Sequence, residues 1–221
     1  MASEFSGTRD RFWSELAFLA EHATPGMQVL DIGCGNGRFY PVLKERQISY
    51  TGLDSSSGLL EEARKKYPDI EFTEGDATAL PFPDKTFDVA FSFATAHHIP
   101  GKDLQRKFIQ EVARVLKPGK TFILTSWYLW TPQYERKLFA NAAKRILGMS
   151  RLDVGDVMLT FGKEKHERYL HAFTLSELTK LLIENGFEVV GSEITERAME
   201  EKSHKKSRPA QKNILVVARK K

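Results

Sequence analysis

The chain has 221 residues, 41% apolar and 28% charged, with a net charge of +4; that length fits one large domain and leaves little room for a second. No run reaches the roughly 20 apolar residues of a membrane span, and Met1-Ala2-Ser3-Glu4-Phe5 lacks the basic-then-apolar pattern of a secretory signal, so a cytoplasmic protein with no membrane segment is expected. The single cysteine, Cys34, excludes an internal disulfide framework and a Cys-based zinc site. Charge is uneven. Residues 1–130 carry 15 Lys+Arg against 17 Asp+Glu, and residues 131–221 carry 18 against 12. The excess, including His204-Lys205-Lys206-Ser207-Arg208, suits a polyanion such as RNA; a solvated loop and basic tail explain it equally.

In chain order, an amphipathic helix is expected over about 9–22, then a strand over 28–32, a helix over 36–46 and a strand over 49–53. A helix over 57–66, strands over 71–74 and 87–91, and a helix over 103–116 follow. Pro118-Gly119 stops that helix before a strand over 120–125. The C-terminal part reads as a helix over 175–185 and strands over 188–193 and 213–218. The alternation predicts an α/β fold: a Rossmann-like doubly wound sheet of seven strands with helices on both faces. Residues 131–168 fall outside it and read as a mainly helical insertion, with a loop around 151–162, over the edge of the sheet where ligands bind.

The most informative stretch is Val29-Leu30-Asp31-Ile32-Gly33-Cys34-Gly35-Asn36-Gly37-Arg38, a strand that breaks into three glycines spaced two apart. Glycine opens backbone conformations closed to other residues and lets a ligand reach the main chain. A helix from Asn36 would aim its free N–H groups at that ligand. The dinucleotide fingerprint is G-x-G-x-x-G; here the third glycine comes one residue early and Asp31 stands two before the first. A carboxylate there repels a pyrophosphate and suits a cationic ligand such as S-adenosylmethionine. Cys34 reads as a small loop residue in preference to a nucleophile.

With Asp31-x-Gly33-x-Gly35-x-Gly37, the chain resembles class I S-adenosylmethionine-dependent methyltransferases. Thr51-Gly52-Leu53-Asp54, Gly75-Asp76-Ala77, Phe87-Asp88-Val89-Ala90 and Leu116-Lys117-Pro118-Gly119-Lys120 match the family in order. The resemblance implies one class I methyltransferase domain over 1–221, its last strand antiparallel. It further implies S-adenosyl-L-methionine as cofactor, held by Asp31, Gly33, Cys34, Gly35, Gly37, Asp54, Ser55, Asp76, Ala77 and Ser92, with Asp54 at the ribose hydroxyls and Asp76-Ala77 at the adenine. A narrower likeness rests on Phe5-Ser6-x-Thr8-Arg9-x-x-x-Trp13, His97-His98, Ser126-Trp127, Arg168-Tyr169-x-His171-x-Phe173 and the strand from Asn213 to Lys220. These are similar to methyltransferases that esterify a carboxymethyl group on the wobble uridine of tRNA. Members of that family in eukaryotes need a small zinc-binding activator protein.

Methyl transfer from a sulfonium is an in-line displacement, so the protein supplies position and electrostatics. A carboxylate acceptor, with a reference pKa of about 4, is already ionised and needs no general base. Arg9, His97, His98, Arg168, Tyr169 and His171 are the candidates to hold it, each with packing or an ion pair as the competing role; of the two histidines, one is expected to pack and the other to face the site. A neutral acceptor would instead call for a histidine base. Trp127, Tyr128 and Trp130 suit base stacking or lid packing. The alternatives are a small-molecule methyltransferase of the same fold and a cofactor-binding scaffold without turnover.

Overall fold

The computed structural model describes residues 12–150, 152–161, 166–196 and 212–221. A 3-10 helix, Ser14–His22, leads into β1 (Gln28–Ile32), short helix α1 (Tyr40–Leu43), β2 (Ser49–Asp54), α2 (Ser57–Lys66), β3 (Glu71–Glu74) and β4 (Phe87–Phe93). Helix α3 (Lys102–Val115), β5 (Leu116–Tyr128) and α4 (Pro132–Ile146) follow. A hairpin of β6 (Asp156–Phe161) and β7 (His166–His171) precedes α5 (Leu175–Glu184), β8 (Phe187–Glu196) and β9 (Lys212–Lys220).

Seven strands form one sheet in the order β3-β2-β1-β4-β5-β9-β8. The first five are mutually parallel, and β9 runs antiparallel to both β5 and β8, which bears out the expected doubly wound sheet and its antiparallel last strand. Period-two alternation sends Leu30, Ala90, Phe122 and Leu124 to one apolar layer under α3 and α5, and Val29, Phe91 and Ile123 to the other, under the N-terminal 3-10 helix, α1 and α2. Strand β4 is buried on both faces, as a central parallel strand must be. The sheet's order reverses at β1 and β4, so the loops after their carboxyl ends open the crevice where ligands bind in such folds.

Two expectations fail for identifiable reasons. The helix expected over 36–46 begins only at Tyr40 and ends as a 3-10 turn, Lys44–Arg46. Gly37 has φ +73, incompatible with a right-handed helix, and Pro41 has no N–H for the preceding turn. The loop expected around 151–162 holds β6 instead, so the insertion is a helix followed by a β-hairpin. The N-terminal helix, expected from about residue 9, starts at Ser14 and is 3-10 in geometry; residues 12 and 13 are not helical, and 9–11 lie outside the described residues. Leu138, Val157 and Leu159 of the insertion form a third apolar cluster with the flanking Leu129, Leu170 and Ala172.

Candidate functional site

A cleft of about 530 Å³ opens at the carboxyl ends of β1, β2, β3 and β4. Of the residues expected at a cofactor, Gly33, Cys34, Gly35, Asp54, Ser55, Asp76 and Ala77 line it, as do the acceptor candidates His98 and Arg168.

The three glycines of the loop have separate jobs. All have positive φ: +76 at Gly33, +57 at Gly35 and +73 at Gly37. A Cβ on Gly33 would collide with the Thr95 side chain, and one on Gly37 would press on Tyr67 and Phe72 at 3.2 and 3.1 Å. Gly37 therefore serves packing and does not line the cleft. A Cβ on Gly35 would meet only Leu59 Cδ1, at 3.9 Å, so that backbone is bare where the cleft begins. This is the arrangement a ligand lying on the main chain requires.

Asp54 closes β2 and locks the loop. Its Oδ2 accepts the Gly35 N–H at 2.8 Å and its Oδ1 the Ser56 N–H at 2.9 Å. Burial raises its pKa and those N–H donors pull it back. The Ser55 N–H acts on the same carboxylate, which keeps acceptor capacity for a ribose hydroxyl. Asp76 is held by the N–H and hydroxyl of Thr78 on Oδ1, at 2.7 and 2.8 Å, which leaves Oδ2 for an exocyclic amine. The cleft's bare main chain at Gly35 and its two carboxylates, Asp54 and Asp76, fit the nucleoside part of S-adenosylmethionine.

Several expected site residues lie elsewhere. The Asp31 carboxylate turns away from the cleft, with 2% of the residue exposed, and its Oδ2 accepts the Tyr50 hydroxyl at 2.7 Å. Alternation explains this, because in β1 Leu30 and Ile32 face one layer and Asp31 the other. Burial pushes its pKa up to about 7, with the Tyr50 hydrogen bond and the Arg38 charge acting against that rise. Burial likewise drives the Cys34 thiol well above its ordinary value, so it is no nucleophile. Ser92 is fully buried within β4 and does not reach the cleft.

Among the acceptor candidates, Arg9 lies outside the described residues, as does the basic run from His204 to Arg208. The two histidines differ in burial. His97 is fully buried; its Nδ1 accepts the Trp127 N–H and sits 3.2 Å from Ser126 Oγ, and its ring stacks on Trp127 at 4.8 Å. His98 is exposed and lines the cleft. Tyr169 and His171 do not line it. The Tyr169 hydroxyl donates to Asp156 Oδ1 at 2.6 Å and accepts the Gly101 N–H at 3.3 Å. His171 is buried between Asp156, at 2.7 Å from Nδ1, and Glu177, at 3.1 Å from Nε2. Those carboxylates overcome the desolvation of the imidazole and raise its pKa to about 9. Trp127 and Trp130 are packing residues: Trp130 Nε1 donates to the Ala172 carbonyl at 2.8 Å, and both pack against the insertion cluster. The motif reading missed Arg38, which follows the third glycine, lines the cleft and stacks over Trp13 at 4.2 Å. It missed the apolar mouth as well, formed by Ile99, Pro100 and Leu104.

A doubly wound sheet, a glycine loop with bare backbone at Gly35, and acidic groups at the ends of β2 and β3 define a nucleoside-cofactor enzyme of the α/β class. A Methyltransferase domain family model matches residues 30–124. A methyltransferase-family protein of Encephalitozoon cuniculi is 33% identical over 190 residues, 85% of this chain and 83% of that protein. The fatty-acid O-methyltransferase of Mycolicibacterium smegmatis is 36% identical over 61% of this chain, and the tRNA (carboxymethyluridine(34)-5-O)-methyltransferase of Arabidopsis thaliana 32% over 58%. The chain matches 50% and 30% of the lengths of those two proteins. An S-adenosylmethionine-dependent methyltransferase structure from Methanosarcina mazei shares the fold, with a TM-score of 0.78 over 95% of this chain and 98% of that one at 22% identity. A Haloferax volcanii methyltransferase solved with the activator Trm112 aligns at a TM-score of 0.68 and 19% identity over 99% of this chain and 93% of that one. The chain belongs to the S-adenosylmethionine-dependent methyltransferases, and S-adenosylmethionine is its cofactor.

Proposed function

We propose that this enzyme forms a methyl ester on the carboxymethyl group of a modified wobble uridine in tRNA. The observation that carries the reading is the presence of both Arg168 and His98 in the cleft lining, two nitrogen-bearing side chains from different segments. A guanidinium is a fitted partner for a carboxylate, and an acceptor already ionised needs orientation more than deprotonation. When bound, S-adenosylmethionine would supply the methyl group, the C–S bonding pair remaining on sulfur in the neutral thioether product. The chain's residues hold the acceptor in line: Arg168 and His98 at the carboxylate, and Ile99 and Leu104 against its apolar parts. Gly33, Gly35, Asp54 and Asp76 hold the cofactor.

The insertion contributes Arg168 to the cleft wall, and His98 and Pro100 are exposed at the mouth. That exposure supports a large acceptor. Arabidopsis and mouse relatives named as carboxymethyluridine methyltransferases support the same acceptor, and the Haloferax complex supports a small activator subunit as partner. On this reading residues 1–221 act as one catalytic domain in the cytoplasm, where tRNA is modified. A small acceptor is the second reading, favoured by the apolar mouth of Ile99, Pro100 and Leu104 and by the fatty-acid relative. Digested tRNA from a deletion strain, read by mass spectrometry, should lack one methyl-esterified uridine that returns on complementation. An unchanged nucleoside profile sinks the tRNA reading and leaves the small acceptor.

A further inference from the structure

The wall facing the acceptor is made from two pieces of chain, residues 98–100 with Leu104, and Arg168 on β7. They are far apart in sequence, and something must fix their spacing. The first piece is well anchored up to His98. Thr95 Oγ1 lies 3.3 Å from the carbonyls of Ile32 and Phe93, the Ala94 N–H donates to the Thr125 carbonyl at 3.0 Å, and His97 is held by Trp127. Beyond His98, Ile99 is buried in the core and donates its N–H to the Ala96 carbonyl at 3.1 Å. The carbonyl of Ile99 accepts from Gln105 Nε2 at 3.1 Å. Gly101 is the N-cap of α3, and its own N–H donates to the Tyr169 hydroxyl, 68 residues away, at 3.3 Å.

That hydroxyl is itself fixed. It donates to Asp156 Oδ1, which His171 Nδ1 also contacts at 2.7 Å, and the carboxylate's second oxygen accepts the Asp153 N–H at 2.8 Å. His171 in turn reaches Glu177, in the first turn of α5. A chain of short contacts therefore runs from α5 across the base of the hairpin to the N-terminus of α3. Tyr169 is its last member and sits next to Arg168.

We infer that Tyr169 is a positioning residue that sets the width of the acceptor end by holding Gly101 against the strand carrying Arg168. This rests on the methyl-acceptor reading of the cleft. Tyr169 does not line the cleft, so it acts on the acceptor through Gly101 and the wall of Ile99 and Pro100.

The test is Tyr169→Phe, which keeps the ring and removes the hydroxyl. With bulk tRNA from a deletion strain as acceptor, KM should rise about fivefold, the worth of one net hydrogen bond, while kcat stays within twofold and the calorimetric Kd for S-adenosylmethionine is unchanged. Amide exchange should quicken over residues 99–102 and not in α5. A kcat loss at unchanged KM, or faster exchange spread through the hairpin and α5, overturns the inference, since either makes Tyr169 a general stabiliser. If the wild-type enzyme fails to turn over tRNA, the tRNA reading falls and exchange at residues 99–102 decides the clamp alone; unchanged exchange there overturns it.

Discussion

Replacing His171 with Gln is expected to destabilise the protein most at mildly acidic to neutral pH. The ring is about 2% exposed and bridges Asp156 and Glu177, so the protonated form is held by two carboxylates in a poorly solvated site. Its pKa rises from 6.5 to about 9. A raised folded-state value means that the imidazolium's contribution is complete below about pH 6.5 and disappears as pH climbs through 9. The shift corresponds to roughly 3 kcal/mol, at about 1.4 kcal/mol for each unit. The same contacts hold Asp156 and Glu177 below the ordinary carboxylate range, so the contribution is also lost at low pH once those groups protonate. For a chain of this size, 1 kcal/mol moves the melting temperature by about 2–4 °C. Thermal unfolding by circular dichroism at pH 6.5 and pH 9.5 should show the wild type losing about 6–12 °C more than the variant between the two. Parallel melting curves across that window refute the ion-pair account of His171, and with it the reassignment of this residue from acceptor binding to fold.

Gly35→Ala should fold and bind S-adenosylmethionine at least about tenfold more weakly, because its Cβ enters open cleft while the left-handed backbone costs about 1–2 kcal/mol; Gly33→Ala should instead fail to accumulate as folded protein, since its Cβ meets Thr95. Calorimetry and expression yield separate the two, and wild-type affinity in the Gly35 variant would falsify the loop's role. Asp54→Ala, which releases the N–H groups of Gly35 and Ser56, should cost about 3 kcal/mol in cofactor affinity, at about 1.5–3 kcal/mol for each hydrogen bond to a charged group; a Kd within threefold of the wild type contradicts it. Asp31 has the same sign of pH dependence as His171, because its folded-state pKa is also raised. Its raised carboxyl is neutral and harmless below about pH 3.8, and its stabilising share is lost as pH rises through about 7. Asp31→Asn should therefore gain up to about 4 kcal/mol over the wild type at pH 8, with the gap closing towards pH 4. Urea unfolding at both pH values checks this, and an equal gap at both rules it out.

The cofactor half was legible because its determinants are consecutive. A strand, three glycines and an acid at the end of the next strand are local statements, and the sheet order then carries Asp54 to Gly35 without further instruction. Asp31 was misplaced because spacing within a motif was read without the strand's alternation, which points Asp31 away from the face of Leu30 and Ile32. The interrupted helix after the loop follows from Gly37 and Pro41, both visible in sequence, but a left-handed glycine there reveals itself only when Tyr67 and Phe72 are seen packed against it.

The acceptor half was harder for a physical reason: it is assembled across long sequence separations, and adjacent residues in one motif do opposite jobs. Arg168-Tyr169-x-His171 reads as a single cluster of donors. In a strand, however, neighbours face opposite ways, so Arg168 goes to the cleft while Tyr169 and His171 share the other face, both on Asp156. Alternation alone would have split the cluster, had residues 166–171 been read as a strand. The same reasoning narrows the acceptor chemistry, since it leaves Arg168 as the insertion's one contribution to the wall among the described residues. Discrimination at that wall then turns on a single guanidinium and on how firmly the opposite segment is held towards it.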